Sequence, residues 1–207
     1  MVFGLFKRGG DTTRALEALA NAPVGAPVEV EGRRGVIRGT LIVEESGDRW
    51  IEHLIDDAAG SRYWVSIESF ATTLATLWSD VDIWEVQGGP DDTRVTHGGV
   101  TFRRNEVGTA RYTANGDVDL IPAGTMDYVD FKGPDGARVS FERFGEAGAG
   151  RRARSVSGLC PNCQAPLHLD AVGACTSCGS RLMEAHGWFD TWEVALGRDV
   201  TTSARLQ

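Results

Sequence analysis

No cysteine occurs before position 160 or after position 178, so no disulfide can staple the bulk of this chain. With no cleavable apolar leader at the amino terminus, that distribution points to a reducing compartment, and a cytoplasmic location is expected, at most at the inner membrane face. No apolar run approaches the roughly 18 residues that a membrane-spanning helix requires, so no transmembrane segment is expected. Basic charge is in deficit: 21 Lys and Arg stand against 29 Asp and Glu, a net charge of −8. A nucleic-acid partner needs a basic face to meet its phosphates, and none is expected. Also missing are a Gly-x-Ser-x-Gly elbow, a His-Glu-x-x-His pair and a phosphate-cradling glycine loop, the abundant glycines falling at turns. The expectation is a protein without catalytic residues or an organic cofactor.

The cysteines that are present form Cys160-x-x-Cys163 and Cys175-x-x-Cys178, two knuckles separated by eleven residues. Each can turn tightly enough to present two thiolates, and four thiolates at about 2.3 Å complete the tetrahedron that Zn²⁺ prefers. Leu167 and Leu182 each follow a second cysteine by four positions, so two similar half-sites face one ion, as in a zinc ribbon. Such a closed site contributes folding energy to a piece too small for its own core and leaves no position for substrate. Structural Zn²⁺ held by Cys160, Cys163, Cys175 and Cys178 is the expectation, with two disulfides or a redox-active pair as the alternatives. Gly179 suits the left-handed position that follows a knuckle, whereas Gln164 holds the equivalent place after the first and predicts some strain there.

At 207 residues the chain has room for one ordinary domain plus the ribbon. The apolar residues 1–6, before Lys7 and Arg8, form either a frayed end or a weak peripheral membrane contact, too short to anchor alone. Asp11, Thr12 and Thr13 offer caps to a two-turn helix over residues 14–21, with Leu16 and Leu19 on one side. From Val24 the period becomes alternating. Strands are predicted through Val28, Val30, Ile37, Leu41 and Val43, a hairpin turn over 45–48, then strands over 49–55 and 62–67. Residues 70–86 fit helix or strand, and strand is preferred. Short strands follow over 99–103 and 109–114, with Asn115-Gly116 reading as a type I′ turn into a strand over 117–121. Residues 126–132 and 137–144 alternate around a turn at 133–136. The fold class is all-β, a small barrel or sandwich-like domain with a short N-terminal helix and the four-Cys ribbon.

On the strand over 49–55, Trp50, Glu52 and Leu54 share one face while Ile51, His53 and Ile55 share the other. His53 and Glu52 therefore cannot act together as base and carboxylate, and a hydrogen-bonded structural His53 is the simpler reading. Glu52, Glu68, Asp127, Asp130 and Glu142 line an acidic groove for a cationic ligand such as a polyamine, or are solvated sheet-face acids. Trp50, Trp64, Trp78 and Trp84 fill a core or form a recognition surface.

Trp50, Glu52 and Leu54, then Tyr63-Trp64-Val65-x-x-Glu68, Gly99-x-x-Phe102, Glu106-x-Gly108-x-Ala110, Tyr128-x-Asp130 and Ser140-Phe141-Glu142-Arg143-Phe144 resemble a bacterial family, domain of unknown function 4178, over residues 25–145. The resemblance implies an all-β domain with no established activity, whose relatives are encoded near aminopropyltransferases of polyamine synthesis and membrane-stress proteins. Members commonly end on a strand of the type Trp-Glu-Val-x-x-Gly; here Trp192, Glu193, Val194 and Gly197 supply it only after the ribbon. The implied organisation is a tail and helix (1–23), a β domain (24–148) whose final strand is 188–200, a linker (149–157), an inserted ribbon (158–185) and a tail (201–207). The rival is a ribbon appended after the domain, with 186–200 packed on it. The expected function is that of a non-enzymatic adaptor binding a protein partner, with a small polyamine-binding protein as the alternative and an unrecognised enzyme third.

Overall fold

The computed structural model of the chain describes residues 8–69, 73–145, 160, 163–165, 175–179, 192–200 and 204–206. Residues 1–6, read as either a frayed end or a weak membrane contact, the linker 149–157 and most of the ribbon's connecting residues lie outside these. Among the described residues, no helix is long and apolar enough to cross a membrane.

The protein is all-β with one helix. Helix α1 (Arg8–Ala20) begins earlier than the caps at 11–13 suggested, and its Leu16 and Leu19 are buried. The strands are β1 (Pro27–Val30), β2 (Arg33–Glu45), β3 (Asp48–Asp57), β4 (Arg62–Ser69), β5 (Thr73–Val81), β6 (Val86–Gln87) and β7 (Arg94–His97). They continue with β8 (Val100–Gly116), β9 (Ala123–Lys132), β10 (Ala137–Phe144), β11 (Glu193–Asp199) and β12 (Ala204–Leu206). All pairings are antiparallel, in the order β12-β1-β2-β3-β4-β5-β11-β10-β9-β8-β7-β6, and an additional β2–β8 ladder closes β2, β3, β4, β5, β11, β10, β9 and β8 into a ring. Closure needs strands that bend. β2 and β8, the two that make the extra ladder, each carry a register shift, between Ile37 and Gly39 and between Arg104 and Glu106.

Strand β11 enters the ring between β5 and β10, pairing Leu196 with Val139 and Val194 with Phe141 on one side and Gly197 with Trp78 on the other. Trp192, just before it, packs beside Val194 and Phe141 and takes the Arg143 guanidinium over its ring at 4.9 Å. The chain's last stretch was expected to be a tail, but residues 204–206 form β12 against β1.

Three apolar clusters follow from this closure. On one outer face, Leu16 and Leu19 of α1 pack on Val28, Ile37, Ile55, Val65 and Leu77. Inside the ring, Leu41, Val43, Leu54, Ala110, Tyr112, Met126, Tyr128 and Phe144 meet, with Trp50 and Trp64 against them. On the opposite outer face, Val86, Val95 and Phe102 cover Val129, Phe131, Val139 and Phe141. Both faces of the wall are therefore apolar wherever something covers them.

Two local expectations give way to tertiary pairing. The separate strands at 99–103 and 109–114 are one strand, β8, whose middle is held by β9 throughout. Asn115-Gly116 makes no hairpin: Asn115 and Gly116 pair with Thr40 and Gly39 of β2, so the backbone that a type I′ turn would use is spent on closing the ring. The connection to β9 is a longer loop, with no strand over 117–121 beyond an isolated bridge. The ambiguous stretch resolves as β5 plus a single 3₁₀ turn at Ile83–Glu85, capped by the Asp82 carboxylate accepting from the Trp84 amide. Residues 70–72 of that stretch lie outside the described ones.

Candidate metal centre and barrel lumen

The two knuckles fold alike because each closes with the same backbone bond. The amide of Gln164 donates to the Cys160 carbonyl at 2.8 Å, and the amide of Gly179 donates to the Cys175 carbonyl at 2.7 Å. Both donors lie in the left-handed region, Gly179 at φ 72° and Gln164 at φ 57°. Glycine adopts that backbone freely, whereas a β-carbon there costs about 1–2 kcal/mol.

The knuckles bring all four sulfurs within 4.8 Å of one another. Cys160 Sγ lies 3.8 Å from Cys178 Sγ, and Cys163 Sγ lies 3.9 Å from Cys175 Sγ. These distances test the fit of an ion. A tetrahedron with metal–sulfur bonds of about 2.3 Å has edges of about 3.8 Å, whereas a disulfide needs about 2.05 Å. The four cysteines are free thiols in a geometry that can hold a tetrahedral metal ion. The Ala165 amide lowers the Cys163 pKa, yet desolvation and the hydrogen bonds to the other three sulfurs carry it up to about 12. A metal ion bound there would take the place of the Cys163 proton.

The cluster is also attached to the barrel. Cys160 and Cys175, the first cysteine of each knuckle, are buried, and Trp84 of the 3₁₀ turn packs against both. Cys163 and Cys178 are exposed. Sequence reasoning grouped Trp84 with the other strand tryptophans; only the fold places it under the cysteines, some 80 positions away in the chain.

The ring holds the second constellation. Ala75 and Leu77 of β5 face α1, so Thr76 and Trp78 face the lumen; by the same alternation and the ladder register, so do Glu52 of β3, Ser66 and Glu68 of β4, Asp130 of β9 and Arg138, Ser140 and Glu142 of β10. Trp50 of β3 meets Tyr128 of β9 edge to face across the lumen, ring centres 6.0 Å apart. Two of the lining aromatics come close against glycine. A β-carbon on Gly197 would come within 2.4 Å of the Trp78 ring, and one on Gly108 equally close to the Tyr128 hydroxyl.

Of the five acids predicted to line a groove, Glu52, Glu68, Asp130 and Glu142 face inward. Asp127 does not. It lies between Met126 and Tyr128, both inward, so period two turns it outward to accept from Thr109 Oγ1 and Arg143 Nε. Arg138 Nε donates to Asp199 at 3.0 Å. Trp50 Nε1 donates to Glu52 at 2.8 Å, Trp78 Nε1 donates to Ser66 Oγ at 2.9 Å, and Tyr128 donates to Glu45. Ser140 bonds Asp130 and also Glu142, at 3.3 Å, with a single hydroxyl proton to give. Burial, with mutual repulsion, pushes Glu52 up to about 7 and Asp130 up to about 6, and burial raises Glu68. Ser66 and Thr76 carried no signal in the sequence beyond their strand phase, whereas Ser140 and Tyr128 stood in the family's motifs with no role assigned.

His53, on the other side of the wall, is fully buried with both ring nitrogens engaged. Nε2 lies 2.9 Å from the Leu19 carbonyl, which can only accept, so Nε2 carries the proton and Nδ1 accepts from Thr40 Oγ1 at 2.9 Å. Desolvation lowers its pKa, and it is a neutral strut between β2, β3 and the end of α1.

The sequence model of a family described as Domain of unknown function (DUF4178) matches residues 23–155. An uncharacterized protein of Mycobacterium bovis and two of Mycobacterium tuberculosis are each 33% identical over 127 residues, 58% of this chain and 59% of the relative. The match therefore spans little more than half the length of these curated relatives. No solved structure matches the chain.

Proposed function

The chain belongs to the family described as Domain of unknown function (DUF4178), and from that premise we propose that it is a non-enzymatic binding protein, a β barrel braced by a structural zinc ribbon inserted between β10 and β11. The observation that carries this reading is the closed set of four sulfurs within 4.8 Å. Thiolates fill every corner of the tetrahedron, so an ion there polarises no substrate and activates no water; its chemistry is to neutralise the thiolates and lock the two knuckles together. All-sulfur tetrahedra suit Zn²⁺ or iron, and Zn²⁺ fits a site whose work is folding. His53, the one histidine that sequence reasoning weighed as a base, is committed at both nitrogens. In this reading the barrel acts by contact with a protein partner, and the ribbon holds Trp84 and the 3₁₀ turn in place.

Elemental analysis of the purified protein should give one zinc per chain, and Cys160→Ser or Cys178→Ser should abolish it while leaving the far-ultraviolet β spectrum intact. Iron with visible thiolate absorbance, or no metal with oxidised thiols, would overturn the zinc reading. A second reading is favoured by one observation, the convergence of Glu52, Glu68, Asp130 and Glu142 inside the ring: the lumen takes a small cationic ligand such as a polyamine. Calorimetric titration with spermidine separates the two, since an adaptor with no lumen ligand gives only weak heats that vanish at physiological salt.

A further inference from the structure

We propose that the four-cysteine clasp governs how often the barrel opens, by holding β11 in its place between β5 and β10 through the 3₁₀ turn at Ile83–Glu85. This rests on the zinc reading above and names what the ion controls. Neighbouring side chains of that turn face two different clusters. Trp84 packs under Cys160 and Cys175, whereas Ile83 packs with Val81, Trp192 and Leu196 against the cluster of Val139, Phe141 and Val194. The turn is itself anchored, by the Asp82 carboxylate at its start and by the buried Val86 at its end. It begins two residues after Val81, the last residue of β5 and the ladder partner of Val194. The clasp therefore sits at the end of the seam where β11 enters the ring.

β11 is the strand that needs holding. Val194 is its one buried apolar side chain, whereas each of the other seven strands of the ring contributes at least two. Its inward positions carry only Ala195 and Gly197, and a glycine inside a strand weakens it. It is joined to β10 through residues 145–192, and ordering a strand at the end of so long a connection costs chain entropy that a clasp across 160–178 reduces. The cysteines are free thiols, so the link between the knuckles is the ion that they bind. Folded proteins open locally where the fewest apolar contacts hold an element. When β11 leaves, the edges of β5 and β10 are bared, so the occupancy of the clasp decides how often those edges are covered.

The test is hydrogen exchange, read by mass spectrometry, on the full-length protein when zinc-loaded and after chelation under reducing conditions. Zinc removal should speed exchange over residues 193–199 roughly tenfold or more, with β5 and β10 following on the edges they share with β11, while β2 and β3 change by less than about twofold. Trp84→Ala should keep its zinc yet exchange over 193–199 as fast as the zinc-free wild type. Trp84→Phe, which keeps a ring under the cysteines, should restore the slow exchange. Unchanged exchange over 193–199 on zinc removal overturns the coupling, and so does an increase spread evenly over all the strands. Zinc-loaded Trp84→Ala that stays as protected as the wild type overturns the route through the turn; should that variant fail to fold, the wild-type comparison and Trp84→Phe decide the outcome. Protein that binds zinc while β11 is indifferent to it leaves the zinc reading standing and sinks this inference, whereas protein that binds no zinc sinks both.

Discussion

Glu52 and His53 are neighbours in the chain and opposites in the barrel wall, and the two faces they occupy follow different rules. The outer face under α1 buries one histidine and gives both of its nitrogens a partner, amid Leu19, Val65, Leu77 and other apolar groups. The inner face gathers carboxyls, and burial raises the pKa values of Glu52, Glu68 and Asp130 there. A face built for stability satisfies what it buries, because an unmet buried polar group costs more than a met one gains. A face that buries acids beside one another carries a standing cost, and such costs concentrate where a ligand is handled.

That contrast breaks most visibly under α1. Leu19 is fully buried, so Leu19→Ala should cost about 2–5 kcal/mol in chemical denaturation; a loss near zero would mean that α1 is not docked. His53→Leu should cost about 1–3 kcal/mol, since it strands the Leu19 carbonyl and the Thr40 hydroxyl. On the inner face the sign reverses. Glu52→Gln should raise stability by about 1–2 kcal/mol at pH 8, where the wild type must hold a desolvated carboxylate, and a destabilised variant would show that Glu52 is structural after all.

The two faces also oppose each other in pH. Glu52 and Asp130 have folded values above their unfolded ones, so the stability they contribute is present in acid and is lost as pH rises through about 6 to 7. His53 has a folded value below its unfolded one, so its contribution is full above pH about 6.5 and is lost as pH falls below that. Melting temperature against pH should therefore decline on both sides of a mildly acidic optimum, with Glu52→Gln flattening the alkaline limb alone. The smallest effect lies in the cysteine clasp, where the knuckles differ at one backbone position: Gln164→Gly should tighten the metal-bound form by about 1 kcal/mol by removing a β-carbon from left-handed backbone, whereas Gly179→Ala should do the reverse.

What could be read from the sequence was what depends on neighbours in the chain. The knuckle spacing, the positive-φ place at Gln164, the turn at 45–48 and the opposition of Glu52 to His53 all follow from fixed local geometry, and the order of the family's motifs carried the all-β class. Ring closure was decided by pairings between distant segments, β2 with β8 and β11 with β5. The β2 ladder overrides local turn propensity at Asn115-Gly116, because a ladder that runs on through both residues outweighs a two-residue preference. The distant pairings also decide which acids meet. Asp127 and Asp130 look alike in sequence, but they stand an odd number of residues apart on one strand, so closure sends one to solvent with Arg143 and the other into the lumen opposite Glu52 and Glu68. Trp84 under Cys160 and Cys175 belongs to the same class: alternation tells a residue which side of its strand it takes, and only the folded chain determines what is waiting there.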